Sequence, residues 1–169
     1  RVFAPLIGEH NALNICLASA VSFRLGVDVQ KILSVIPTLE AVEHRAKIIK
    51  GQNGIVVIDD GYNANLEGIR STASAVGSFD GFKIAVSSGI VEVGKNTQRI
   101  NFEVGKILAN HFNLIIAVGV NARYIKDGAS TLSVEVLCVE HTGDAKNIIN
   151  QRAKQNDVVA FFNDLPDKY

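Results

Sequence analysis

From residue 11 to 25 (NALNICLASAVSFRL) apolar side chains fall on most sides of a helical wheel, which predicts a buried helix. Gly26 follows its last turn, where a helix-ending glycine belongs. Residues 28–36 predict a second, shorter helix, with Asp28 as its N-cap and Pro37 just past its end. Then the period changes. Residues 46–50 and 55–59 are short β-branched runs joined by Gly51-Gln52-Asn53-Gly54, a hairpin signal in which Asn-Gly supplies positive φ. After it, apolar runs near 83–87, 113–118, 134–138 and 157–161 predict strands, and segments near 66–77, 97–111, 121–129 and 143–154 predict helices. In the helix at 97–111, Ile100, Val104, Ile107, Leu108 and His111 share one face.

Apolar strands alternating with helices predict an α/β fold: a mostly parallel sheet covered on both faces, with the hairpin as its antiparallel part. The turns DDGYNAN after 58, SSG after 86 and VGVN after 117 follow strand ends. In such sheets ligands sit at the carboxyl ends of the strands. The composition change between residues 40 and 46 predicts a boundary, with a helical piece in front of it.

Length and charge narrow the function. At 169 residues the chain has room for one domain plus a remnant of another. Seventeen basic and 17 acidic side chains cancel, so no basic field points to nucleic acid or an anionic membrane. No apolar run reaches the roughly 18 residues of a membrane span. Cys16 and Cys138 stand far apart without a CxxC partner, which fits a reducing cytoplasm, with both thiols structural. The chain starts at Arg1 and contains no Met, and is expected to be a segment of a longer one.

Three motifs bear on chemistry. Gly89-Ile90-Val91-Glu92-Val93-Gly94-Lys95-Asn96 has the GxxxxGK spacing of a phosphate loop. Its Ile, Val and Val are poor for converging backbone N–H groups on an anion, and Asn96 stands where a hydroxyl belongs. Asn96 is better read as the N-cap of the next helix. In His10-Asn11-Ala12-Leu13-Asn14, Asn11 and Asn14 lie on one helix face. They serve either as capping and buried polar contacts or as two amides for a heterocycle edge. In Ile58-Asp59-Asp60-Gly61-Tyr62-Asn63-Ala64-Asn65, two carboxylates and two amides gather between a strand and a helix. Asn65 can simply cap that helix, and adjacent Asp residues are commonly just solvated. On a continuing strand, however, Asp59 and Asp60 point to opposite sides, one toward a ligand and one toward the fold. The histidines His44, His111 and His141 form no metal spacing and are expected in surface or core roles. Asn163-Asp164-Leu165-Pro166-Asp167 reads as a terminal turn or a cleft contact.

The order GEHNALN, then a lone Arg in VEHRA, then VIDDGYNAN resembles the Mur ligases of peptidoglycan assembly, in particular the branch that adds D-alanyl-D-alanine. The resemblance implies that residues 1–44 end a central ATP-binding domain and that residues 45–169 form a Rossmann-like C-terminal domain. It implies ATP and magnesium as cofactors, with the metal ligands mostly outside this chain. Asn11 and Asn14 would lie at the adenine, Arg45 would reach the phosphates as a catalytic charge, and Asp60 would accept from the ribose hydroxyls. Tyr62, Asn63 and Asn65 would sit beside the amino substrate. The implied partners are a UDP-muramoyl-peptide, an amino or dipeptide substrate and upstream domains of the same polypeptide. The implied reaction is ATP-dependent amide formation through an acyl phosphate in the cytoplasm, with this segment inactive alone. Two features depart from the branch. Leu66 replaces a proline, and SSGIVEVG stands where an aspartate-bearing segment belongs, placing Ser88 or Gly89 at that position. The alternatives are a related ligase with another amino substrate, including the folylpolyglutamate type, or a nonenzymatic nucleotide-binding module on the same fold.

Overall fold

The computed structural model describes residues 1–62 and 64–163, the last by its backbone alone. Two helices come first, α1 (Glu9–Arg24) and α2 (Val29–Val35). Then follow β1 (Lys47–Lys50), β2 (Val56–Asp59), α3 (Leu66–Gly77), β3 (Lys83–Gly89), α4 (Thr97–Ala109), β4 (Leu114–Val118), α5 (Ala122–Ala129), β5 (Glu135–Val139), α6 (Thr142–Arg152) and β6 (Val158–Asn163).

The six strands form one sheet in the order β1-β2-β6-β3-β4-β5. β1 runs antiparallel to β2 at the edge, and the other pairings are parallel. The hairpin turns as its sequence predicts, with φ 55° at Asn53 and 76° at Gly54. Alternate strand residues bury opposite faces. Ile58, Ala85, Ile115, Ala160 and Phe162 meet Ile69 and Val76 of α3, Val104 and Leu108 of α4, and Ile125 of α5. Ile84, Val86, Leu114, Ile116 and Val159 meet Ala145 of α6 on the other face. Each large aliphatic side chain buried this way stabilises the fold by roughly 1.5–3 kcal/mol. The last strand inserts between β2 and β3, so the carboxyl ends of β2, β6 and β3 lie side by side.

The helix caps divide. Asp28 caps α2, its carboxylate accepting from Gln30 N and Lys31 N at 2.8 and 3.3 Å. Asn96 does not cap α4: its side chain makes no capping bond, and the Thr97 hydroxyl donates to Gly94 O at 2.7 Å instead. Asn96 sits at the end of a 3-10 turn with φ −91° and ψ 0°, outside the extended geometry that aims a cap side chain back at the helix. Pro37 lies within a further 3-10 turn, Ile36–Thr38, rather than past the helical segment.

The expectation of a buried first helix is overturned. No residue of α1 is buried, and Leu13, Leu17 and Val21 are each about 60% exposed. A helix that is apolar all round needs partners on every side. Here α2 and α3 pack against it, and its outer stripe is bare. Cys16, expected in the core, is exposed for the same reason, and Cys138 is also exposed. Among the described residues no helix is long and apolar enough to cross a membrane.

Candidate functional site

β2 pairs with β6 through Asp59, opposite Phe161, and the Asp60 N–H donates to Phe161 O at 3.0 Å. The backbone then turns through Gly61 and Tyr62 toward α3. Asn65 caps that helix, its Oδ1 accepting from Gly68 N at 2.9 Å. The two aspartates diverge as strand alternation requires. Asp59 Oδ2 accepts from His44 Nδ1 at 2.7 Å. Asp60 Oδ1 accepts from Ala46 N at 3.1 Å. Burial raises the Asp60 carboxyl above the ordinary aspartate value, against the pull of Thr72, the Ala46 N–H, His10 and Arg45. The Thr72 side chain that exerts this pull is fully buried beside the carboxylate.

Arg45 lies over Tyr62, its guanidinium carbon 4.6 Å from the ring centroid. Tyr62 is 56% exposed. Arg45, Asp60 and Tyr62 therefore gather where the helical piece joins the sheet. His10 reaches the same place from α1: its Nδ1 shares a hydrogen bond of 2.8 Å with Ser71 Oγ of α3.

Asn11 and Asn14 share a face of α1, as predicted. Both line a recess of about 380 Å³ between α1 and α2, with Leu6, Ile15, Lys31 and Ile32. Asn11 Nδ2 donates to Ile7 O at 2.7 Å. Asn63 lies outside the described residues, as do Asp164, Leu165, Pro166 and Asp167.

Ser88 belongs to a neighbouring strand end. β3 carries an irregularity between Ser87 and Gly89, and Gly89 has φ 76°. The Ser87 hydroxyl donates to Phe162 O at 3.1 Å, tying β3 to β6. Ser88 O accepts from Asn121 Nδ2 at 3.2 Å, while Ser88 Oγ is buried with no partner among the described residues. Asn101, fully buried, anchors Ile90, two residues beyond Ser88. Its Oδ1 accepts from Ile90 N at 2.7 Å and its Nδ2 donates to Ile90 O and Thr97 O, both at 3.0 Å.

A family model described as "Mur ligase, glutamate ligase domain" matches residues 44–162. The chain belongs to the Mur ligase family. Among relatives, it is 29% identical over 160 residues to a UDP-N-acetylmuramoylalanine–D-glutamate ligase of Francisella tularensis subsp. mediasiatica, covering 94% of this chain and 36% of that protein. It is 23% identical over 165 residues to a UDP-N-acetylmuramoyl-tripeptide–D-alanyl-D-alanine ligase of Bacillus subtilis, with the same coverage. Among solved structures, MurF from Acinetobacter baumannii superposes with a TM-score of 0.83 at 27% identity, over 96% of this chain and 36% of that one. The chain thus spans about a third of the length of these Mur ligases.

The family spacing groups Arg45, Asp60 and Tyr62, and three further residues share their neighbourhood without a sequence signal that announces it. His10 was visible as the first letter of its motif, beside the two asparagines that drew attention. His44 lies at the surface, and its pairing with Asp59, fifteen positions away, depends on how the chain turns at 44–46. Thr72 carries no motif signal at all.

Proposed function

We propose that the longer protein is an ATP-dependent amide-bond ligase of peptidoglycan precursor synthesis. In this reading it adds D-alanyl-D-alanine to a UDP-N-acetylmuramoyl-tripeptide in the cytoplasm. Residues 1–44 end its central ATP-binding domain and residues 45–169 form its C-terminal domain. The observation that carries the reading is the cluster of Arg45, Asp60 and Tyr62 at the junction, in a chain of this family.

The donor set suits a nucleotide. A planar, permanently charged guanidinium fits phosphate oxygens. One oxygen of Asp60 holds Ala46 N, and in this reading the carboxylate also accepts from the ribose hydroxyls. The Asn11–Asn14 recess offers amides to a heterocycle. Magnesium is a different matter: among the described residues no cluster of three His, Cys, Asp or Glu side chains could hold a metal ion. The family resemblance puts its ligands mostly outside this chain. ATP, when bound, activates the substrate carboxylate as an acyl phosphate. The chain's own groups contribute charge and position. Arg45 neutralises charge developing on the transferred phosphoryl group. Tyr62, Asn65 and, by its place in the sequence, Asn63 border the amino substrate. Ser88, at the end of β3, is the further residue assigned to that substrate.

A different amino substrate is the second reading. One observation favours it: the Francisella relative is named as a D-glutamate ligase; the resemblance adds that Ser88 or Gly89 stands where the D-alanyl-D-alanine branch has an aspartate. Phosphate release by the full-length protein, with UDP-muramoyl substrates and a panel of amines, decides between them. Turnover with D-alanyl-D-alanine alone supports the first reading. Turnover with a single amino acid instead supports the second. ATP hydrolysis with no dependence on any amine overturns both.

A further inference from the structure

The segment that joins the two pieces passes twice through left-handed backbone, with φ 59° at His44 and 50° at Ala46. Histidine enters this region more often than most side chains, but alanine does not, and two such conformations so close together persist only where the surroundings impose them. Arg45 stands between them.

The surroundings are the end of β2 and its turn. His44 Nδ1 donates to Asp59 Oδ2 at 2.7 Å. His44 O accepts from Tyr62 N at 3.1 Å. Ala46 N donates to Asp60 Oδ1 at 3.1 Å, and the Ala46 side chain is 2% exposed. The twin carboxylates, on opposite sides of one strand, thus grip the residues before and after Arg45. β2 itself does not need this grip. Its pairing with β1 and β6 and the burial of Ile58 hold it in the core.

We propose that His44 and Asp59 form a clasp that positions Arg45, acting on it through the backbone. The proposal rests on the reading of Arg45 as the phosphate-facing charge. An arginine side chain has many rotamers, and a charge is effective against a developing charge only when its place is fixed in advance. The clasp fixes the Cα and its direction, and the Tyr62 ring, 4.6 Å from the guanidinium, steadies the far end. Asp59 and His44 are positioning residues, since neither needs to touch a substrate.

The test uses the full-length enzyme with four variants: Arg45→Ala, His44→Ala, His44→Asn and Asp59→Ala. Asparagine enters the left-handed region more readily than other side chains, and its amide can still donate to Asp59. His44→Ala and Asp59→Ala are expected to lower kcat/KM for ATP roughly ten- to a hundredfold, the scale of a small misplacement of a catalytic group. His44→Asn is expected to recover most of that loss. Combining His44→Ala with Arg45→Ala should add nothing to Arg45→Ala alone, because the clasp acts only through that side chain. Wild-type kinetics in His44→Ala beside a large loss in Arg45→Ala would overturn the clasp and leave the functional reading standing. Wild-type kinetics in Arg45→Ala would overturn the functional reading and the clasp with it. Equal losses in His44→Ala and His44→Asn, matched by lowered melting temperatures, would show a structural role and overturn the clasp.

Discussion

Asp60 Oδ1 accepts the Ala46 N–H at 3.1 Å, so a carboxylate expected at a ribose already holds the backbone beside Arg45. The fold thereby ties one strand end to the joining segment through a partly buried charge.

That burial sets a pH dependence. Burial is the largest influence on Asp60 and raises its pKa above the ordinary 3.8. The folded state therefore binds this proton more tightly than the unfolded state. Asp60's favourable contribution is fully present below pH 3.8 and is lost as pH rises through the higher folded value. Asparagine mimics the protonated form, since its carbonyl oxygen can accept from Ala46 N. Asp60→Asn is expected to melt at or above wild type at pH 7, with the difference shrinking toward pH 3.8. Melting curves of the 169-residue chain across that range check it. A lower melting temperature for Asp60→Asn at pH 7 would mean that the Arg45 and His10 charges outweigh desolvation.

Asn101 holds the loop that presents Ser88. It makes three hydrogen bonds, two of them to Ile90, at a fully buried position. Asn101→Ala strands the Ile90 N–H and C=O away from water, where unmade bonds are expensive. The expected loss is about 3 kcal/mol of unfolding free energy, measured by denaturant titration. A loss below about 1 kcal/mol would mean that water or a loop shift replaces the amide.

The strands and helices from residue 46 onward were legible because each buries one face against the same sheet. Periodicity in the sequence is the direct consequence of that burial. Lys83–Gly89, Leu114–Val118 and Thr97–Ala109 accordingly lie within a residue or two of their predicted bounds. The helix at Glu9–Arg24 was equally legible as a helix, but its environment was not. An all-round apolar pattern reports the partners a helix requires, not the partners within this stretch of chain. The Asn96 cap failed because residue type alone says nothing about the backbone angle that aims the side chain. The nearness of Arg45, Asp60 and Tyr62 was legible because their spacing repeats a family pattern. The grip of Asp59 on His44 needed the two left-handed turns at 44 and 46, which no sequence period encodes.

Packing between α4 and α5 supplies a sharper stability test. The two helices approach so closely that a Cβ on Gly128 would lie 1.9 Å from Phe102 O, and one on Gly105 would lie 2.0 Å from Ile125 O. Both obstacles are backbone, which cannot rotate away. Gly128→Ala is expected to cost about 3 kcal/mol or more through forced separation of the helices, despite alanine's better helix propensity. Gly143→Ala, where nothing lies within 4 Å of the added carbon, is the control. Equal stabilities for the two variants would disprove the close approach.

The GxxxxGK look-alike gives the last prediction. A phosphate loop works by pointing free backbone N–H groups at one anion. In this loop the Gly89 N–H donates to Ser87 Oγ at 3.0 Å, the Ile90 N–H to Asn101 Oδ1 at 2.7 Å, and the Asn96 N–H to Val93 O at 3.1 Å. Three donors that a cradle would use are already engaged. Ile90 is nearly fully buried and fills the space beneath them. Lys95 is exposed on the following turn, at the solvent side of the loop. Lys95→Ala is therefore expected to leave the nucleotide affinity of the full-length protein within about threefold of wild type, less than 1 kcal/mol. Equilibrium titration with ATP measures it. A loss beyond about tenfold, or 1.4 kcal/mol, would mean that the loop rearranges around a phosphate and that the hydrogen bonds of Asn101 are exchanged on binding. Asn101→Ala would then weaken nucleotide binding as well, which gives a second reading of the same event.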